Sequence, residues 1–229
     1  MRIVPVFLTL VLAGAVALAQ QNVPPPPQPP ADKPAAQNPP ADNGPSLEVT
    51  MKYIQDKVNQ QGNIAYIESI SNTLTGENIP PVQTSVKSQV LAIDPTGVLS
   101  LQESSVFSWP GGSISQTNSW HVSFKDVEKL EVLNSADWDR MKAQKSGRPQ
   151  YVYQDDPPLY ELIVHFVAGK SVRRHIQTVN SSKRGTTESD DSIQEFALHF
   201  RDEDTADRVA KAFVHAIELC GGGSKPELF

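Results

Sequence analysis

The sequence predicts an α+β domain that is mainly antiparallel β, a curled sheet or partly open barrel of about 7–8 strands with an N-terminal helix and a C-terminal capping helix. Three observations predict it. An apolar stripe with helical spacing comes first, short β-branched and aromatic segments separated by turn residues follow, and a longer helical stripe ends the pattern. We expect one globular domain over residues 46–222. A domain of about 175 residues buries enough of its surface to be stable without a disulfide or a metal ion.

The first helix is expected from about Leu47 to Gln60. Ser46 is a suitable N-cap because its hydroxyl can accept a hydrogen bond from an unpaired amide of the first turn, and Gly62 can end the helix. Apolar residues recur at steps of four, three and four residues, which places them on one helical face: Leu47, Met51, Ile54 and Val58.

Eight segments have the composition of strands. Asp94–Gly97 has proline and glycine where a tight turn needs them, Ala168–Gly169 indicates a two-residue hairpin, and Trp109–Gly112 separates two further strands. We therefore expect a meander in which each strand pairs with the next, with one face packed and the other largely exposed. The predicted strands are Ile64–Ser71, Ser85–Ile93, Val98–Phe107, Ser113–Phe124, Leu130–Leu133, Leu159–Val167, Ser171–Thr178 and Ile193–Phe200.

The last helix has the clearest pattern. Asp202 is a suitable N-cap, and Glu203 and Asp204 put negative charge in the first turn, where it interacts favourably with the helix dipole. Gly221 ends the helix, and residues 223–229 are expected to form a loose tail. The continuous apolar stripe consists of Ala206, Val209, Ala210, Phe213, Ile217 and Cys220.

Residues 1–19 have the pattern of a signal peptide. Arg2 precedes an apolar run, and small residues occupy the third-last and last positions, Ala17 and Ala19, as signal peptidase requires. The run has about 16 residues, fewer than the ~20 that a membrane-spanning helix needs. We expect cleavage after Ala19, export to the periplasm or the medium, and no stable membrane insertion of the mature chain.

Residues 20–45 are predicted to be a disordered linker. Ten residues between Asn22 and Pro45 are proline, and no large apolar residue follows Val23 in this segment. Such a chain cannot form a sheet or a core, so it should remain extended as a spacer. The alternative is that Pro24–Pro30 is a ligand for a proline-binding module.

Composition and motifs exclude several functions. The formal net charge is −6 and the pI is near 5.4, so bulk electrostatics would not hold the chain to nucleic acid or anionic lipid. The sequence contains no glycine-rich phosphate loop and no Gly-x-Ser-x-Gly elbow. His165, His175 and His199 match no known metal-ligand spacing. We predict no catalytic residue, no cofactor and no metal site.

Two groups of residues are candidates for binding. The first is basic and could attract a phosphate or an acidic partner, although the acids of 188–191 would neutralise it: Lys170, Arg173, Arg174, His175, Lys183 and Arg184. The second is aromatic and lies in the polar insertion 134–156, where it could either contact a partner or hold the insertion onto the domain: Trp138, Tyr151 and Tyr153.

Cys220 is the only cysteine. Its place on the apolar stripe of the last helix predicts a buried, small hydrophobic side chain. The alternative is a partly exposed thiol that forms a dimer.

The order of elements resembles the pleckstrin-homology-like superfold. The resemblance is carried by the strand series Ile64–Phe200 and by the ending Phe200–Ala210, which is also similar to the terminal region of uncharacterised secreted bacterial proteins. It implies a bent seven-stranded sandwich capped by one helix. Lipid-binding members carry several Lys and Arg in the first hairpin loop, whereas Thr73–Thr84 contains only Glu77 among ionisable residues, so phosphoinositide binding is not expected.

These observations predict an exported, non-catalytic binding or scaffold module. Its expected partner is another envelope or secreted protein, bound as an extended segment by strand addition to a sheet edge. The alternative is a carrier of a small hydrophobic ligand inside a partly open barrel. A hydrolase is the less favoured third possibility.

Overall fold

The structure is a computed structural model that describes residues 44–181 and 185–222. The predicted signal peptide (1–19), the linker up to residue 43 and the tail 223–229 lie outside the described residues. Within the two described ranges, no helix combines the length and the apolar character needed to cross a bilayer.

The described ranges contain three α-helices and ten strands. The expectation of about 7–8 strands and two helices is wrong because α2, β6 and β9 form in the polar segments 134–156 and 180–192. The helices are α1 (Leu47–Gln61), α2 (Ser135–Lys145) and α3 (Glu203–Leu219), and one 3-10 turn spans Phe124–Asp126. The strands are β1 (Asn63–Asn72), β2 (Asn78–Asp94), β3 (Val98–Trp109), β4 (Gly112–Ser123), β5 (Val127–Asn134), β6 (Tyr151–Asp156), β7 (Tyr160–Phe166), β8 (Val172–Asn180), β9 (Gly185–Ile193) and β10 (Glu195–Phe200).

The strands form two open, antiparallel sheets. The large sheet has the order β6-β1-β2-β3-β4-β8-β9 and the small sheet has the order β10-β7-β5. The predicted pairing of each strand with the next is confirmed from β1 to β4 and for β5 with β7, but it is wrong elsewhere because β4 pairs with β8 and β7 pairs with β10. The predicted Ala168–Gly169 hairpin is also wrong, since β7 and β8 belong to different sheets.

Local chemistry explains the elements that were predicted correctly. The Ser46 side chain accepts from the Val49 amide at the start of α1, and Asp202 accepts from the Thr205 amide at the start of α3. Between β2 and β3, Asp94 Oδ1 accepts from the Thr96 amide, and the turn is completed by a glycine with positive φ.

A single apolar core lies between the two sheets and α3. The apolar stripe of α3 is buried in this core, except that Cys220 is only partly buried. Helix α1 packs against α3. Phe213 contacts Phe124 edge to face, with the ring centroids 5.2 Å apart. Trp120 of the large sheet lies 5.6 Å from Phe196 of the small sheet, so both layers share this core.

The second face of the small sheet is also covered. Glu161 and Ile163 lie opposite the core-facing side chains of β7, and they are 5% and 0% exposed. The expectation of a largely exposed face is therefore wrong here. The buried Trp138 of α2 lines a cavity together with Glu161, which places α2 over this face.

Candidate functional site

The candidate site is a cavity of about 310 Å³ between the two sheets and α2, which we call the interlayer cavity. The large sheet contributes one wall, β7 and β10 contribute the second, and α2 contributes the third. Its lining is Glu103, Asn118, Trp120, Trp138, Lys142, Glu161, Arg174, Ile193, Glu195, Phe196, Ala197 and His199.

Strand register brings these side chains together from distant parts of the chain. Glu103 and Asn118 are direct partners across β3 and β4, and His199 is the partner of Glu161 across β10 and β7. Side chains directly opposite each other on one face of an antiparallel pair lie about 5 Å apart at Cβ. The inward-facing positions of β3 change from Leu99 and Leu101 to Glu103, so the apolar core gives way to a polar site.

His199 lies between two carboxylates. Its Nε2 atom is 3.5 Å from Glu161 Oε1, and its Nδ1 atom is 3.6 Å from Glu103 Oε2. Burial alone would lower the pKa of His199, but the negative charges of Glu161 and Glu103 raise it to about 10. His199 is therefore a cation at neutral pH.

The α2 wall combines an indole with two lysines. Trp138 is 4% exposed, and the Nζ atoms of Lys142 and Lys145 lie 5.5 and 5.6 Å from its ring centroid. Lys142 Nζ is 2.6 Å from Asp139 Oδ1. Burial alone would lower the pKa of Lys142, but Asp139 outweighs burial and raises it, so the ammonium remains charged.

An acidic group on β1, β6 and α2 lies beside the cavity. Burial, together with Asp139 and Asp155, raises the pKa of Glu68 to about 7. Burial also raises the pKa values of Asp139, Asp155 and Tyr66. The hydroxyl of Ser135 donates to Asp155 and partly offsets that shift. Several carboxylates are thus crowded where water is scarce.

Two buried N–H groups at the cavity lack hydrogen-bond partners within the described ranges. They are Nε1 of Trp120, a residue that is 4% exposed, and Nδ1 of His199. Leaving such a donor unsatisfied costs about 1–3 kcal/mol. His199 Nδ1 has the Glu103 carboxylate at 3.6 Å, and Trp120 Nε1 is enclosed by protein atoms, so neither atom is open to a ligand in the cavity.

The charges that line the cavity balance one another. Arg174 makes a bidentate pair with Asp191, through Nε to Oδ1 at 2.9 Å and Nη2 to Oδ2 at 2.5 Å. Glu195 Oε2 is 3.1 Å from His165 Nδ1. Every cationic side chain of the lining therefore already faces an acid, which leaves no unpaired positive charge for an anion among the described lining residues.

The predicted basic cluster is paired with acids along the β8–β9 hairpin. Arg173 and His175 both contact Asp190, at 3.1 and 3.2 Å, and Lys170 lies 3.4 Å from Asp126. Of the cluster, Arg174 alone lines the interlayer cavity, while Lys183 and Arg184 lie outside the described residues. Strand β9, which was not among the predicted strands, supplies the acids that neutralise β8.

The three predicted aromatic residues do not form one surface. Trp138 is buried at the cavity, whereas Tyr151 and Tyr153 are half-buried on β6, opposite Asn72 and Ile70 of β1. The insertion that contains them is α2 followed by β6, so Trp138 anchors α2 onto the domain.

Sequence reasoning missed most of the site. The residues it did not single out are Glu103, Asn118, Trp120, Lys142, Glu161 and Glu195, while His199 was considered only as a metal ligand. One signal was available, because Glu103 and Glu161 interrupt predicted strands at positions where apolar residues alternate. Across the residues that the structure describes, no group of three His, Cys, Asp or Glu could hold a metal ion. No family model, curated protein or solved structure matches the chain.

Proposed function

We propose that this chain is an exported, non-catalytic binding module that holds a small polar group of its ligand in the interlayer cavity. The observation that carries the proposal is a cavity in which polar side chains from both sheets and α2 converge. Concave sites with a few placed polar groups are where proteins bind small ligands.

The proposed scaffold is a pleckstrin-homology-like domain with two insertions. The proposal is supported by the order of elements, in which β1 to β4 lie in one layer, β5, β7 and β10 form the other, and α3 follows. The insertions are α2–β6, which adds a strand to the β1 edge, and β8–β9, which extends the β4 edge. Both insertions contribute to the cavity, through Trp138 and Arg174.

The proposed partner is another exported protein that presents a polar group to the cavity. A second candidate mode is strand addition at β9, because this edge strand of the large sheet is exposed along almost its whole length. Its Asp190 and Asp191 are paired with β8, so the edge carries little net charge that would repel an incoming strand.

The alternatives have less support. The lining of the interlayer cavity contains more polar than apolar residues, and the core between the sheets is occupied by buried side chains, which does not favour a hydrophobic ligand. Neither serine nor cysteine is among the described lining residues, and the carboxylates of Glu103 and Glu161 face the same imidazolium. This arrangement favours binding over hydrolysis.

The test is a ligand-observed NMR screen of the mature chain against amino acids, monosaccharides and short peptides. Binding at the cavity should weaken in Lys142→Met, which keeps the length of the side chain but removes an ammonium group of the lining. The matched control is Lys52→Met, because Lys52 is exposed on α1 and is not part of the cavity lining. If no compound shows binding that depends on Lys142, the proposed function is wrong.

A further inference from the structure

We propose that two copies of this chain associate through one end of the outer face of the large sheet. The outer face is the one whose side chains point away from the core, so this surface lies on the opposite side of the sheet from the interlayer cavity. We call it the neutral face. Its residues are Ile67, Gln83, Ser108 and Ser113 in one row across the strands, Ala65, Ser85, Val106, Ser115, Val179 and Thr186 in the next row, and Trp109 and Pro110 where β3 ends.

Strand register places these side chains on one surface. Val106 is the direct partner of Ser85 on β2 and of Ser115 on β4, and direct partners in an antiparallel pair share a face. Side chains alternate along a strand, so Val106 points away from the core, which the same strand enters with Leu99 and Leu101. The two rows therefore form a continuous surface that crosses β1, β2, β3, β4, β8 and β9.

The neutral face exposes apolar side chains. Ile67 and Val179 are each 45% exposed, Trp109 is 37% exposed and Val106 is 36% exposed. Ile67 and Trp109 also border a shallow groove of about 420 Å³, whose other walls include Pro81. Exposed apolar side chains that are grouped on one surface mark an interaction site, and tryptophan is enriched at the centres of such sites.

Charged side chains are excluded from this surface. Of the described residues that define the neutral face or line its groove, none is ionisable, whereas 20% of the whole chain is charged. Charged residues begin at its borders, with Lys87 and Glu188 in the next row and Asp156 beside Ile67. Depletion of charge together with an exposed aromatic side chain is the composition of the core of a protein–protein interface.

Charge also selects a second copy as the occupant. The chain has a formal net charge of −6, so two copies repel each other, and a contact surface without ionisable side chains avoids like-charge pairs. A basic partner would instead be drawn to the acidic parts of the chain. The surface is also self-complementary, because it combines an exposed indole, that of Trp109, with a groove, and a two-fold axis brings each to the other twice. The small side chains of the two rows allow two sheets to pack face to face.

Sedimentation velocity of the mature chain, from low micromolar to submillimolar concentration and with a reductant present, tests the inference. We expect a reversible equilibrium between monomer and dimer. Val106→Glu puts an acid into the neutral face, and the two-fold axis brings it into the contact twice, so the dimer should dissociate at least about tenfold more readily. The matched control is Leu91→Glu, because Leu91 is 54% exposed on β2 but lies outside the neutral face, and this variant should dimerise as the wild type does.

A second measurement needs no variant. The chain has three tryptophans, of which Trp120 and Trp138 are each 4% exposed, so quenching of fluorescence by acrylamide reports mainly on Trp109. Quenching should decrease as the concentration of the wild type rises through the range in which the dimer forms. Unchanged quenching would show that Trp109 is not covered.

Four further outcomes overturn the inference. They are a chain that stays monomeric at every concentration, a dimer that Val106→Glu leaves intact, a dimer that forms only without reductant and so depends on Cys220, and binding to phosphatidylcholine vesicles through Val106 in place of dimerisation. None of them bears on the proposed function, because the interlayer cavity lies on the other side of the sheet.

Discussion

The Sγ atom of Cys220 occupies the space that a Cβ atom on Gly97 would need. Gly97 closes the turn between β2 and β3 with a φ of +86°, and Cys220 is the C-cap residue of α3. This contact ties the first long hairpin to the last helix. The small, partly buried side chain of Cys220 fits against this glycine.

Replacing Gly97 with alanine should destabilise the protein by more than the cost of backbone strain alone. A positive φ costs a non-glycine residue about 1 kcal/mol, and the overlap with Cys220 adds to that. Gly169→Ala is the matched control, because its φ is +80° and an added Cβ there meets nothing within 4 Å. Urea unfolding should give Gly97→Ala the larger loss, and equal losses would contradict the contact.

The stability of the protein should fall at alkaline pH because of His199. Its pKa is raised from 6.5 to about 10 in the fold, so its stabilising contribution is complete below pH 6.5 and is lost as the pH rises through 10. Replacing His199 with glutamine leaves Glu103 and Glu161 without their cation and should cost about 2–4 kcal/mol at pH 7.

Unfolding free energies at pH 7 and pH 9.5 measure the effect of His199. The wild type should lose more stability between the two pH values than His199→Gln does. His121→Gln is the control, because His121 is exposed on β4 and should leave the wild-type pH dependence intact. A His199→Gln profile parallel to that of the wild type would show that the imidazolium is not stabilised by these glutamates.

Glu68 should also make stability fall as the pH rises, but over a lower pH range. Its pKa is raised from 4.5 to about 7, so the fold favours the neutral acid and stability is lost as the pH rises from 4.5 through 7. Glu68→Gln should therefore be more stable than the wild type at pH 8, by about 1 kcal/mol after screening by solvent, and similar to it at pH 4.5. Thermal melts at both pH values check this, with exposed Glu77→Gln as the control. A gain that is equal at both pH values would contradict the raised pKa.

Replacing Phe213 with alanine should be among the most destabilising single substitutions. Phe213 is fully buried on α3 and contacts Phe124, and deletion of such a ring costs about 3–5 kcal/mol. Lys211→Ala, on the exposed side of the same helix, should change the unfolding free energy by less than about 0.5 kcal/mol. Similar losses for the two variants would mean that α3 does not seal the core.

The elements that begin at a helix cap or join at a turn motif were the ones predicted correctly. The caps at Ser46 and Asp202 and the turn at Asp94–Gly97 act within a few residues, so α1, α3 and the β2–β3 hairpin were predicted correctly. Helix α2 was missed because few apolar residues mark its buried side. Strand β9 was missed because it is exposed and polar, and only pairing with β8 makes it a strand.

The site was missed for a different reason. Glu161 and His199 meet only because β7 pairs with β10, and Arg174 joins Trp120 only because β8 pairs with β4. Both pairings connect segments separated by other strands, and no local pattern specifies them. Polar residues at inward positions of a strand are the one feature of the sequence that marks where such a site will form.

The alternation of strands between the two sheets links the sheets mechanically. From β4 to β8 the chain passes from the large sheet to the small sheet and back twice, and it returns to the small sheet at β10. Neither layer can therefore peel away while the other stays intact, and amide protons in both should exchange with solvent in one cooperative event. The same long-range connections must close before the core forms, so refolding should take milliseconds to seconds rather than microseconds.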